Sequence, residues 1–247
     1  MTKIIEFGKK LVEGKTKIVY DSKNPNEVIL EFKNDITAGD GLKHDIFSGK
    51  GKLNAAISAK IFELLNENGI PTHFISFIPP IYMIVKKIKM LPVEIVLRNR
   101  AYGHFLQRMP FKSGKIFDKP IIEFFYKDDE KHDPMITEDH FELLKLAKYE
   151  EVLKIKEITR NVNNVLKEFM KKIGIDLIDF KIELGRSSSG ELFVGDEING
   201  DSCRLWDQKN PEKIYDKDIY RKGGTLKIVK KTYIELYEKI INEKYVE

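Results

Sequence analysis

Residues 176–198 read DLIDFKIELGRSSSGELFVGDEI, and this stretch restricts the chain more than any other. Side chains on a strand alternate between its two faces. Ile178, Phe180, Ile182 and Leu184 therefore form one apolar face, while Leu177, Asp179, Lys181 and Glu183 lie opposite. Three charges ~6–7 Å apart along one face make a line that a ligand can read. RSSSG is a turn, and it sends ELFVGDEI back as the second strand of a hairpin. With the turn near Ser188, Asp196 falls within a residue or two of Lys181, gathering Asp179, Lys181, Glu183 and Asp196 on one surface. A plain solvated hairpin with cross-strand ion pairs would show the same alternation. The continuation NGDSCRLWD argues for more, because it spends Asp201, Arg204 and the single tryptophan, Trp206, on one short segment. Glu183 and Asp196 are hard oxygen ligands, of the kind that hold Mg²⁺ together with substrate phosphates.

Composition narrows the class. A chain of 247 residues with 42% hydrophobic content supports one large domain or two small ones. It contains no apolar window of membrane-spanning length. MTKIIEFGKK lacks the apolar core of a leader peptide, and one cysteine makes no internal disulfide, so a cytoplasmic protein is expected. The histidines are scattered, without zinc-ligand spacing. Forty-three basic residues against 39 acidic ones leave a net charge of +4, spread along expected helix faces. No basic tail or aromatic RNA-binding motif accompanies it, which disfavours a nucleic-acid module.

KKLVEGKTKIVYD predicts a hairpin bent at Glu13-Gly14, followed by a strand over 26–32. The polar, glycine-rich 34–52 reads as a long functional loop, and 52–68 as a helix. Strands are expected in THFISFI, PIYMIVKKI and LPVEIVLRNRAYG, a helix over 137–148 capped by Thr137, another over 150–172, and a last from Thr225. This order predicts an α+β fold of two lobes. Residues 1–90 would form an antiparallel, β-rich lobe, and 91–247 a larger α+β lobe. EGKTK places Lys15 and Lys17 around Gly14, but a strand follows where a P-loop needs a helix. The analogy is a glycine hairpin lying over nucleotide phosphates, as in kinases. A kinase-like phosphotransferase is thus the competing reading, although the chain has no HRD or DFG element.

EGKTKIVY, NDITAGDG, VKKIKMLPVEIVLRNRAYG, KHDPM, LIDFKIELG, GDEINGDSCRLWD and DKDIYR together resemble the SAICAR synthetase family, in family order from residue 13 to about 221. The resemblance implies an ATP-dependent ligase joining L-aspartate to the carboxylate of carboxyaminoimidazole ribotide (CAIR), through an acyl phosphate. It implies that 1–90 is the ATP-binding lobe, that 91–247 carries the substrate and metal site, and that ATP lies in the cleft. It also implies that Gly14, Lys15, Lys17 and Lys127 contact ATP, with Lys86, Ile88 and Met90 as the adenine-facing hinge. Glu183 and Asp196 would hold Mg²⁺, Glu183 also reaching the nucleotide. Lys181, with Asp179, would serve the chemistry, and Arg98, His104, Arg204, Asp218 and Arg221 would bind CAIR. His104 stands where the family usually has serine. The resemblance also implies a homodimer. Asp201 is expected to orient Arg204, Trp206 to anchor the segment, Cys203 to serve packing, and 127–135 to be a lid.

Overall fold

Two antiparallel sheets divide most of the strands between them in the computed structural model, which describes residues 6–39 and 41–246. The leader reading of residues 1–10 and Asp40 of the glycine-rich segment fall partly or wholly outside those residues.

The first sheet is built from β1 (Lys10–Glu13), β2 (Lys17–Asp21), β3 (Glu27–Phe32), β6 (Phe74–Ile78) and β7 (Tyr82–Lys86), in the order β1-β2-β3-β7-β6. Between β3 and β6 come β4 (Asp35–Ala38) and β5 (Lys43–Ile46), a separate two-stranded ladder, and then α1 (Lys50–Glu67). Residues 34–52 are therefore not one long loop. Thr37 and Ala38 pair with His44 and Lys43, the turn between them uses Gly39 and Gly41 at positive φ, and helix begins at Lys50. Glycine density marked turns that close a hairpin. α1 lies on β3, β6 and β7, burying Ile57, Ile61 and Leu65 at helical spacing, while Leu53 packs in a second cluster with Ile36, Val229 and Tyr233.

The chain changes sheet between Lys86 and Lys89. β8 (Lys89–Arg100), β9 (Ile116–Tyr126), β10 (Met135–Ile136), β11 (Ile175–Arg186), β12 (Leu192–Gly195) and β13 (Cys203–Asp207) form the second sheet. α2 (Phe105–Arg108) and α3 (Asp139–Leu143) are short. α3 stops well before the expected 148, because Lys145 turns the backbone to positive φ. Thr137 does not cap it: Glu138 holds the N-cap position without a side-chain bond, and the Thr137 N–H donates to His140 Nδ1. α4 (Tyr149–Lys172) covers the second sheet, burying Val152, Ile155, Val162, Leu166 and Met170 against β8 and β11. α5 (Asp218–Arg221) and α6 (Leu226–Ile241, capped by the Thr225 hydroxyl) complete the chain, α6 packing on α1. No helix among the described residues is long and apolar enough to cross a membrane.

The period-two reading of the central strand holds from Asp179 to Leu184 but fails just before it: a bulge at Ile178 shifts the phase, so that Leu177, expected on the polar face, joins the main core instead. Val93, Ile95 and Leu97 of β8 join Phe180, Ile182 and Leu184 of β11 in the core. The register then puts Glu94, Arg98, Asp179, Lys181 and Glu183 on the opposite face, with Glu123 of β9 beside them. This face is polar yet largely withdrawn from solvent: Asp179 and Glu183 are 3% and 4% exposed.

Candidate active site

One edge of β11 is shared by two partners. β13 runs beside residues 175–180 and β12 beside 183–186, leaving a gap at Lys181 and Ile182. The chain leaves the sheet through that gap. β12 ends at Gly195, Asp196 takes a left-handed φ of 61°, and the Lys181 N–H donates to Ser202 O at 2.8 Å where the loop returns. Aspartate tolerates this conformation better than most residues. The break in the ladder is what sets Asp196 and Glu197 beside Lys181.

Three ammonium groups meet four carboxylates here. Lys17 Nζ lies 2.8 Å from Asp196 Oδ1 and 3.2 Å from Glu197 Oε2. Lys127 Nζ donates to both oxygens of Glu183, at 2.7 and 2.8 Å. Lys181 Nζ donates to Glu94 Oε1 at 2.6 Å and stands 3.7 Å from Glu183 Oε1. Burial works against charge on Lys17 and Lys181, but Asp196 and Glu197 for the first, and Glu94 and Asp196 for the second, outweigh it and hold both pKa values above the ordinary lysine range. Burial likewise opposes ionisation of Asp196; Lys17 and Lys181 overcome it and keep the group a carboxylate. Glu183 is pushed up, first by burial and then by its neighbour Asp196. Two adjacent carboxylates, one resisting ionisation, form a place where a further cation is electrostatically favoured. Glu94 and Glu197 belong to the cluster but were not singled out from sequence. Glu94 shares parity with Arg98 in PVEIVLR, and Glu197 directly follows Asp196, so both were within reach of the alternation argument.

The β1–β2 turn covers this cluster. Lys15 and Lys17 part ways despite their shared parity. Lys17 points inward, while Lys15, in the turn itself, reaches Asp129 Oδ1 at 3.2 Å. Asp129 opens a 3₁₀ turn (Asp129–Lys131), so the hairpin meets the 127–135 segment above Glu183. A Cβ at Gly14 would meet only Lys17 O at 3.6 Å, which leaves that backbone open to a ligand. At the other end, Ile88 and Met90 lie against β11 and β12 through two glycines. A Cβ on Gly185 would come within 2.8 Å of Ile88 Cδ1, and one on Gly195 within 3.1 Å of the Met90 thioether. Lys86 is exposed, its Nζ 4.1 Å from the centroid of the Phe193 ring.

Beyond Lys181 the polar face continues as alternating guanidiniums and carboxylates. Glu123 takes Arg108 (2.8 Å) and Arg98 Nε (2.7 Å); Asp179 Oδ2 takes Arg98 and Arg204, each at 2.9 Å. Asp218 takes Arg204 Nε at 3.1 Å and Arg221 at 2.5 Å. Asp179 thus holds two arginines in place, and Arg98 is itself buried between two acids. Gly103 lies on Arg204 with φ +61°, leaving about 2.8 Å between a would-be Cβ and the guanidinium. The exposed His104 follows, at the start of α2. Asp201 does not orient Arg204: its carboxylate lies 2.6 Å from the fully buried Lys50 and also accepts from Tyr233 and Asn54. The tight turn at 196–202 carries Asp201 toward α1 and α6, and Asp218 does the orienting instead. Trp206 is half-buried, edge-on to Tyr102 at 5.0 Å, and the Arg204 guanidinium lies 5.6 Å from the Tyr102 ring. Cys203 is buried, its thiol pushed upward by burial, consistent with packing.

A glycine hairpin with an inward lysine, set over carboxylates and backed by arginines on one sheet face, is the kind of site that suits phosphorylated substrates. The comparisons make this specific. The model of the SAICAR synthetase family matches residues 10–239. A phosphoribosylaminoimidazole-succinocarboxamide synthase of Methanocaldococcus jannaschii is 50% identical over 86% of this chain and 87% of its own, and one of Sulfolobus acidocaldarius 47% identical over 94% and 98%. A SAICAR synthetase solved in complex with ADP superposes with a TM-score of 0.91 at 42% identity, covering 96% of this chain and 99% of that one. The chain belongs to the SAICAR synthetase family.

Proposed function

We propose that the Lys17–Lys127–Lys181 cluster and the arginine-rich face beside it are the two halves of the ligase site. As a family member the chain is an ATP-dependent ligase of purine biosynthesis, joining L-aspartate to CAIR to give SAICAR, ADP and phosphate. In our reading ATP lies between the sheets, adenine against Lys86, Ile88 and Met90, with Gly14, Lys15, Lys17 and Lys127 toward its phosphates. Residues 1–90 then act as the nucleotide lobe, a reading supported by the change of sheet between Lys86 and Lys89. Arg204 and Arg221, held by Asp218, with Arg98 and His104 nearby, bind the anionic groups of CAIR; the guanidinium fork suits them.

The CAIR carboxylate, placed beside Lys181, attacks the γ-phosphorus and ADP departs. The aspartate amine then attacks the acyl carbon, phosphate departs, and the nitrogen gives up its proton as the amide forms. Lysines fixed before substrate arrives stabilise charge without reorganising, which is where such sites gain most of their rate. Glu183 and Asp196 are the residues that would hold Mg²⁺. Among the described residues no group of three or more acidic, histidine or cysteine side chains has metal-ligand geometry. Two carboxylates are nevertheless what the phosphate-bridged mode requires, and the cluster carries more acids than bases. The ion, when bound, neutralises polyphosphate charge. The same reading takes the protein as cytoplasmic and homodimeric, supported by its single cysteine and by the family resemblance.

The observation that carries the proposal is the meeting of Lys17, Lys127 and Lys181 with Glu183 and Asp196 across the sheet break. Phosphate release from MgATP, with CAIR and L-aspartate each present or omitted, tests it. Release and SAICAR formation should require both co-substrates; release with CAIR alone at the full rate would point to a kinase-like step instead.

A further inference from the structure

The reaction needs a place for a dicarboxylate, and most cations at the site are already engaged. Lys17, Lys127, Lys181 and Lys50 each touch a carboxylate, and so do Arg98, Arg204 and Arg221. Lys217 differs. It is only 9% exposed, yet among the described residues its ammonium has no ion pair within 4 Å and no hydrogen-bond acceptor. Its backbone is fixed, the N–H donating to Gly200 O at 2.9 Å, just ahead of α5. Its stem is buried while the ammonium still reaches solvent, so the charge is enclosed yet open to an anionic partner that would complete it.

The surroundings indicate what that is. Asp201 and Glu197 act on Lys217 from a distance, but Asp201 is already bonded to Lys50 and Tyr233, and Glu197 to Lys17, Thr16 and Asn199. Lys50 and Arg221 add positive potential, and burial before all else makes the bare ammonium unfavourable, lowering its pKa. Glu197 belongs to the Lys17 cluster, and Arg221 to the arginine series. Lys217 thus feels a member of each series, and on the ligase reading the attacking amine would arrive between them. Of the three substrates, L-aspartate alone carries two carboxylates and no phosphate.

We propose that Lys217 binds a carboxylate of L-aspartate, docking the co-substrate between the Lys17–Asp196–Glu197 cluster and the Arg204–Asp218–Arg221 series. This rests on the ligase reading above. The test varies each substrate in turn for the wild-type protein, Lys217→Met and Lys217→Arg, with succinate, which lacks the amine, as competitor. In Lys217→Met the KM for aspartate should rise about 10–100-fold, as for a lost charge-assisted contact, and the Ki of succinate by the same factor. The KM values for ATP and CAIR should stay within about threefold, and Lys217→Arg should recover part of the loss. An unchanged aspartate KM, or a rise confined to CAIR, overturns the assignment. Should Lys217→Met fail to fold, the wild-type protein decides: saturating succinate must protect Lys217 from reductive methylation, read by mass spectrometry, and lack of protection overturns the assignment. Wild-type protein that turned over no aspartate would remove the ligase reading itself, a result distinct from an active enzyme indifferent to Lys217.

Discussion

Replacing Lys50 by methionine isolates the contribution of one buried charge. Lys50 and Asp201 are 1% and 5% exposed at the side chain, 2.6 Å apart, and Asp201 also accepts from Tyr233 and Asn54. Methionine keeps most of the volume and leaves Asp201 without its cation. Breaking a buried pair on one side costs about 3–5 kcal/mol. An upper bound follows independently, because Asp201 can take up a proton. From an ordinary carboxyl pKa that costs about 4 kcal/mol at pH 7, and about 2 kcal/mol at pH 5.5. In the wild-type protein burial opposes the Asp201 charge, but Lys50 and Lys217 outweigh it and hold its pKa low, so nothing titrates there in this window. In the variant the folded state binds the extra proton, so its deficit shrinks toward acid by up to ~1.4 kcal/mol per pH unit. Urea unfolding at pH 7.0 and 5.5 measures this directly. The expected loss is ~3–4 kcal/mol at pH 7, falling to about 2 at pH 5.5, with at least half regained in Lys50→Met/Asp201→Asn. A pH-independent loss below about 1 kcal/mol would show that the pair behaves as if solvated, and would refute the reasoning.

Gly103→Ala should displace the Arg204 guanidinium, since the new Cβ would lie about 2.8 Å from it at a φ that alanine resists. Steady-state kinetics should show kcat/KM for CAIR falling by about 10-fold or more, while the KM for ATP changes little. Asp216 is pushed up to about 7 by burial and by Asp218. The folded protein therefore holds a proton that the unfolded chain has released, and the stability from this group, complete below about pH 4, is lost as pH rises to about 7. Denaturation midpoints across that range should fall less steeply in Asp216→Asn.

Much of this was legible in the sequence because the strands obey their period. Asp179, Lys181 and Glu183 could be assigned to one face from alternation alone, and the turn at Ser188 fixed Asp196 nearby. Long-range partners were not legible in that way. Lys50 and Asp201, 151 residues apart, meet only because α1 packs against the loop that fills the sheet break. The same distance hid Glu123, which looks like an ordinary strand residue until β8 and β9 pair and bring it onto Arg98. The 34–52 segment misled because glycines at positive φ serve hairpin turns as readily as open loops. Asp201 misled because closeness along the chain to Arg204 says nothing of direction once a loop turns. The reverse error concerns Lys15 and Lys17, whose shared parity held only for the residue inside the strand.

The central claim is that the site activates the CAIR carboxylate by placing it against the γ-phosphate beside Lys181. The most direct measurement follows oxygen. CAIR labelled with ¹⁸O in its carboxylate is turned over with unlabelled ATP and L-aspartate, and the released phosphate is analysed by mass spectrometry. Attack through an acyl phosphate predicts one carboxylate oxygen carried into each phosphate, with SAICAR formed in equal amount. Phosphate free of label, released at the rate of SAICAR formation, would contradict the account.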